Sequence, residues 1–89
     1  MTTLIVPSSL RRYSNQQARL TLAASTVEEL LERFIQNSAE LRNFIFSGKA
    51  LRKFVIVSKN GQDIRLLEGL LTPLSATDEV HIIAGVAGG

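Results

Sequence analysis

An α+β fold, a mixed sheet of four to five strands with one helix packed across one face, is what this 89-residue chain predicts. Three observations carry that expectation. Apolar runs with strand character recur near the start, in the middle and close to the end of the chain. Between them, Val27, Leu30, Leu31, Phe34 and Ile35 fall at i, i+3, i+4, i+7 and i+8, the one-sided stripe of an amphipathic helix. The length suits one small domain, so strands and helix must share a single core.

The elements follow in order. Leu4-Ile5-Val6 is a short apolar run closed by Pro7, which suits a strand. Ser8 to Gln16 is polar and turn-prone. Arg19 to Ala24 alternates, with Leu20, Leu22 and Ala24 on one face, and reads as a half-buried strand in a hairpin with the first. Ser25 with Glu28, or Thr26 with Glu29, fits a capping box at the start of the helix, which extends to about Gln36. Glu29 and Arg33 are placed for an i,i+4 ion pair on its wet face. Residues 38–50 have no clear period; they read as a loop with a helical turn whose aromatics cover an end of the core. Lys53 to Ser58 is the strongest strand signal and runs into Asn60-Gly61, the dipeptide of a type I′ hairpin. Gln62 to Leu66 then returns as a short strand. Glu68 to Leu74 reads as a turn or one 3₁₀ segment, Ala76 to Glu79 as a polar turn, and Val80 to Ala84 as a final strand. The order β-β-α-β-β-β gives a β-grasp.

Alternation divides each strand between two faces of the sheet. Val55, Val57, Val80 and Ile82 are assigned inward, and Phe54, Ile56, His81 and Ile83 outward. One helix covers one face only. The other is expected to carry an apolar patch of Phe54, Ile56 and Ile83, rimmed by Lys53, Arg65 and His81, as a surface for a protein partner.

Composition narrows the function. Apolar residues make up 45% and charged residues 20%, which excludes a disordered chain. No apolar run is long enough to span a bilayer. The N-terminus lacks a basic leader and a cleavage site, so the expected compartment is the cytoplasm. Without cysteine there is no disulfide and no thiolate chemistry. Six of the ten basic residues, Arg42, Lys49, Arg52, Lys53, Lys59 and Arg65, fall between positions 42 and 65, where Asp63 is the lone acid. An acidic protein surface is a better match than nucleic acid, because the chain has no Trp, one Tyr and no nucleic-acid motif. His81 is the single histidine and has no Ser/Asp arrangement beside it. Glu28, Glu29 and Glu32 suit the positive end and solvated face of a helix. No metal-ligand spacing and no phosphate-cradling glycine loop is present, so neither a metal nor a bound cofactor is expected.

The remaining reactive group is the terminal carboxylate. The chain closes on Val86-Ala87-Gly88-Gly89. Glycine has no Cβ, so two of them can thread a channel too narrow for a side chain. The division expected is a compact unit over 1–84 and a flexible lead over 85–89. Extended, residues 85–89 reach about 17 Å.

From Leu51 onward the residues resemble the ubiquitin-like sulfur carriers of the MoaD/ThiS family, nearest to those that serve cysteine synthase. The match rests on Phe54-Val55, Asn60, Asp63-Ile64-Arg65, Gly69-Leu70 with Thr72, Asp78 with Val80 and Ile82, and Val86-Ala87-Gly88-Gly89. The resemblance implies a carrier that is not itself an enzyme. An E1-like adenylyltransferase/sulfurtransferase of the MoeB/ThiF type would use ATP to adenylate Gly89, which then receives sulfur as a thiocarboxylate. Val86, Ala87 and Gly88 would set the thinness and reach of the lead. The sulfur acceptor implied first is cysteine synthase, with the molybdopterin synthase large subunit as the alternative. A JAMM-type peptidase is a further implied partner, although no residue after Gly89 calls for maturation. Two other readings stay open: a ubiquitin-like modifier that joins Gly89 to target lysines, and an interaction domain whose last residues are inert.

Overall fold

The computed structural model describes residues 1–36 and 38–84. Its centre is a five-stranded mixed sheet. Strands β1 (Thr2–Ile5) and β2 (Arg19–Leu22) form an antiparallel hairpin. The final strand β7 (Glu79–Ala84) runs parallel to β1 on one side and antiparallel to β5 (Val55–Lys59) on the other. The short β6 (Gln62–Asp63) completes the order β2-β1-β7-β5-β6. This is the β-grasp expected from the order of elements, as the resemblance to ubiquitin-like carriers also implied.

Helix α1 (Val27–Ile35) lies across one face. Its five stripe residues are all buried, at 9% exposure or less, in one core with Leu4, Val57, Val80 and Ile82. Between the two capping registers the structure selects Thr26. Its Oγ1 accepts from the Glu29 N–H at 3.2 Å, while Glu29 Oε1 accepts from the Ser25 N–H at 3.2 Å. Glu29 therefore turns back on the cap, and the expected pair with Arg33 does not form.

Residues 38–51 are more ordered than their sequence indicates. Ser38 caps a second helix, α2 (Ala39–Ile45), by accepting from the Leu41 N–H at 3.1 Å. The helix sinks Leu41 and Ile45 into the core. A two-stranded hairpin follows, β3 (Phe46–Ser47) with β4 (Ala50–Leu51), turning through Gly48 at φ +65°. The expected loop is replaced because an i, i+4 apolar pair suffices once tertiary burial supplies the stabilisation. The polar stretch after Pro7 likewise holds a 3₁₀ helix, Ser8–Tyr13, which buries Leu10.

Further boundaries differ from expectation: β1 covers Thr2–Ile5 rather than Leu4–Val6, and β2 ends at Leu22 rather than Ala24. The strand expected over 62–66 stops at Asp63, whose Oδ1 accepts from the Arg65 N–H at 2.9 Å and starts a 3₁₀ turn, Ile64–Leu66. The strand expected from Lys53 starts at Val55, because Arg52 to Val55 forms a turn in which the Val55 N–H donates to Arg52 O. The Asn60-Gly61 turn has φ of +50° and +87°, as a type I′ hairpin requires.

Candidate functional site

The face of the sheet opposite α1 is assembled by register. Ile56 on β5 sits directly across from Ile83 on β7, and Ser58 across from His81. His81 in turn pairs with Ile5 on β1, and Ile5 with Arg19 on β2. Side-chain alternation puts these residues on one side, with Val55, Val57, Val80 and Ile82 on the other. Ile83 is 55% exposed; Ile56 and Ile5 are half-buried. The assigned parity therefore holds for Val55, Ile56 and Val57 on β5 and for Val80 to Ile83 on β7, but not for Phe54, which lies before β5 and packs against the core; Ile56 and Ile83 form an apolar ridge on the side away from the helix.

A charged string borders the ridge. Arg19 Nη1 donates to Glu79 Oε2 at 3.0 Å, and His81 Nε2 lies 2.9 Å from Glu79 Oε1. The interaction with His81, then that with Arg19, holds the Glu79 carboxyl below the ordinary glutamate range. His81 is thus oriented along the sheet by Glu79 rather than toward any nucleophile. Among the described residues no group of His, Asp and Glu is arranged to hold a metal.

The other residues assigned to the patch are placed differently from one another. Phe54 precedes β5 and does not share its alternation; it is half-buried, with its ring edge-on to Phe44 at 5.5 Å. Lys53 is exposed at the same turn. Arg65 lies beyond β6, where its guanidinium grips Asp63 through Nε at 3.0 Å and Nη2 at 2.6 Å. That grip holds the Asp63 carboxyl below the usual range. Gly89, Gly88, Ala87 and Val86 lie outside the described residues. The last described residue, Ala84, is tied into the sheet opposite Val55.

Several residues that carried the resemblance prove to build turns. Asn60 bridges the β5–β6 hairpin to the start of β7: Nδ2 donates to Asp78 Oδ1 at 2.9 Å and Oδ1 accepts from the Glu79 N–H at 2.9 Å. Asp78 Oδ2 also accepts from the Ser75 N–H at 2.7 Å. That backbone donor, followed by Asn60, holds the Asp78 carboxyl low. Buried Thr72 donates to Gly69 O at 2.6 Å and accepts from the Glu68 N–H at 3.1 Å, closing the turn in which Gly69 takes φ +61°. Val27 N–H to Thr72 O and Leu74 N–H to Ser25 O then stitch this loop to the start of α1. Asp63 and Asp78 are each held in their own turn.

The ThiS family model matches residues 4–89, nearly the whole chain and through the last glycine. The chain belongs to the ThiS family. It is accordingly a member of a family of ubiquitin-like sulfur carriers. No curated protein sequence matches it significantly. Among solved structures, a chain of the Amycolatopsis orientalis BexX/CysO complex superposes with a TM-score of 0.88 at 25% identity, covering 100% of both chains. Small archaeal modifier protein 1 from Methanosarcina acetivorans gives 0.82 at 28% identity, covering 99% of this chain and 95% of that one. CysO of Mycobacterium tuberculosis gives 0.84 at 22% identity, over 97% and 100%, and bears on the fold alone.

Alternation located Ile56 and Ile83 of the expected patch but wrongly included Phe54, whose ring packs against Phe44 and the core. Sequence reasoning missed the Glu79 bridge between Arg19 and His81. The signal for Glu79–His81 was the i, i+2 spacing on one strand face; Arg19 is 60 residues away, and only the β1–β7 pairing brings it near.

Proposed function

We propose that this protein carries sulfur on Gly89 as a C-terminal thiocarboxylate and delivers it as sulfide in cysteine biosynthesis. The observation that carries the reading is a ThiS family match that extends through Gly89. In the first step a carboxylate oxygen of Gly89 attacks the α-phosphorus of ATP held by an E1-like enzyme, and pyrophosphate leaves. Sulfur from a donor on that enzyme then attacks the acyl carbon, and AMP leaves. With a persulfide as the donor, this first gives an acyl disulfide between Gly89 and the enzyme; a second thiol attacks the enzyme's sulfur, forms a disulfide with it, and releases the outer sulfur on Gly89 as a thiocarboxylate. The acceptor takes the sulfur, and hydrolysis regenerates the carboxylate.

The chain's own part is positioning. β7 is held between β1 and β5 over its first half, and Ala84 at its end is paired with Val55 of β5, which makes it a fixed point. Five residues beyond it can extend about 17 Å at most, enough to carry the carboxylate into a partner's active site while the body stays outside. The Ile56–Ile83 ridge, with His81 at its border, is the surface for that body-to-enzyme contact. The absence of cysteine leaves no thiol to attack the activated carboxyl from within.

Mass spectrometry tests the chemistry. Incubation with a co-encoded E1-like enzyme, ATP and a sulfur donor should add one sulfur-for-oxygen exchange at the C-terminal peptide. An unchanged mass with every such enzyme would refute the proposal. The similarity to a small archaeal modifier at 28% identity favours one second reading, isopeptide attachment of Gly89 to target lysines. High-mass conjugates that vanish on deletion of Gly88 and Gly89 would support it.

A further inference from the structure

The basic stretch between positions 42 and 65 takes a definite place in the fold. β6 pairs only with Ser58 and Lys59, and the chain then turns away at Asp63. Val55, Ile56 and Val57 therefore have β7 on one side and no strand on the other among the described residues. A cleft of ≈ 460 Å³ opens at that bare edge. Leu51, Ile56, Ile64 and Leu70 give it aliphatic walls. Lys49, Arg52, Lys53 and Arg65 stand around it. Asp63 is the one acid in the lining, and Arg65 already neutralises it at 2.6 Å. Among the described residues Lys49 and Lys53 are exposed and pair with no carboxylate.

We propose that this cleft docks an extended acidic segment of a partner protein that carries one or two aliphatic side chains among its carboxylates. Each part of the lining selects one property of that segment. The stretch of β5 after Val55, whose N–H is already taken by Arg52 O, offers a strand edge to an extended backbone. The aliphatic walls take aliphatic side chains. The surplus of cations takes carboxylates, and two of those cations give up no internal ion pair to do so. Nucleic acid shares the negative charge but stacks its bases on aromatic surfaces, and none of the described residues that line the cleft is aromatic. The inference goes beyond the carrier reading: the cleft shares Ile56 with the ridge of that reading, but no step of it involves Gly89.

The test is a titration of the isotopically labelled full chain, followed by two-dimensional NMR, with a short blocked peptide in which two leucines sit among aspartates and glutamates. Saturable shifts should concentrate at Ala50–Lys53, Val55–Val57 and Ile64–Arg65. The double charge reversal Lys49→Glu with Lys53→Glu alters exposed, unpaired side chains and should leave the spectrum folded. It should weaken binding by roughly tenfold or more, and added salt should weaken binding to the unaltered chain. Replacing both leucines of the peptide by serine should also abolish saturation. The proposal is overturned if shifts centre on His81 and Ile83 instead, or if no saturation occurs. It is equally overturned if the double variant binds unchanged, or if oligothymidylate of matched charge shifts the same amides at lower concentration. Sulfur loading at Gly89, read by mass, is unaffected by any of these outcomes, so the two readings can fail separately.

Discussion

Asn60 is where two turns 18 residues apart are joined. Its φ of +50° is one that few side chains accept, and its amide both donates to Asp78 and accepts from Glu79. Asn60→Ala removes both hydrogen bonds and strains the turn, and should cost about 1–3 kcal/mol in urea unfolding. Asn60→Gly should recover the backbone part only. The neighbouring acids set the pH response. Asp63, Asp78 and Glu79 are all held below the ordinary carboxylate range, by Arg65, by Ser75 N–H with Asn60, and by His81 with Arg19 respectively. A carboxylate lowered on folding stabilises the native state at any pH above its unfolded value, and the contribution is lost as pH falls through the lowered one. Stability should therefore be level from neutral pH down to about pH 5 and decline below about pH 4, as denaturant midpoints would show. Asp78→Asn should flatten that decline in part. The Asn60-Gly61 turn is legible from two adjacent residues. The Asp78 latch is not, because hydrogen-bonding partners at long separation leave no local pattern.

At the level of elements, legibility followed the length of the periodic signal. α1 shows five stripe residues over nine positions, and every one is buried. Its cap could not be read uniquely, since both registers satisfy the same four-residue rule; the structure decides for Thr26. Thr26→Ala should thus destabilise by about 1 kcal/mol. Ser25→Ala should be within about 0.5 kcal/mol of neutral, since Ser25 contributes only backbone groups to its hydrogen bonds. Thermal denaturation of the two variants side by side checks the choice. α2 and the β3–β4 hairpin escaped the sequence reading for the converse reason. Seven residues with Leu41 and Ile45 as the buried pair, and strands of two residues each, are too short for periodicity to emerge. Burial against the rest of the molecule holds them, and burial is not a local property. The early end of β6 has a local cause, the Asp63 side chain accepting from the Arg65 N–H, but Asp in such a position serves equally in a strand terminus or a turn.

At the scale of the molecule, α1 and α2 bury their apolar residues in one core on one side of the five-stranded sheet, and among the described residues no helix covers the Ile56–Ile83 face. Ile83 is 55% exposed on that face while its neighbour Ile82 is 3% exposed on the other. Ile83→Asp should therefore leave the unfolding midpoint within the range of a surface substitution, about 1 kcal/mol or less, while abolishing loading of Gly89 by the partner enzyme. Ile82→Asp would bury a charge and should prevent folding, which makes the pair a sensitive measurement of face assignment. The sequence by itself determined the fold class, the stripe of α1, the type I′ turn and which residues of β5 and β7 face the core. All of these arise from interactions between residues close along the chain, or from a strict period of two or 3.6. Only the tertiary structure decided that β7 lies between β1 and β5, that Arg19 reaches Glu79, and that β6 stops short to open a basic, aliphatic cleft at the sheet edge. Those depend on which strands become neighbours in space. That choice is made by burial of the whole core at once and is written in no single stretch of residues.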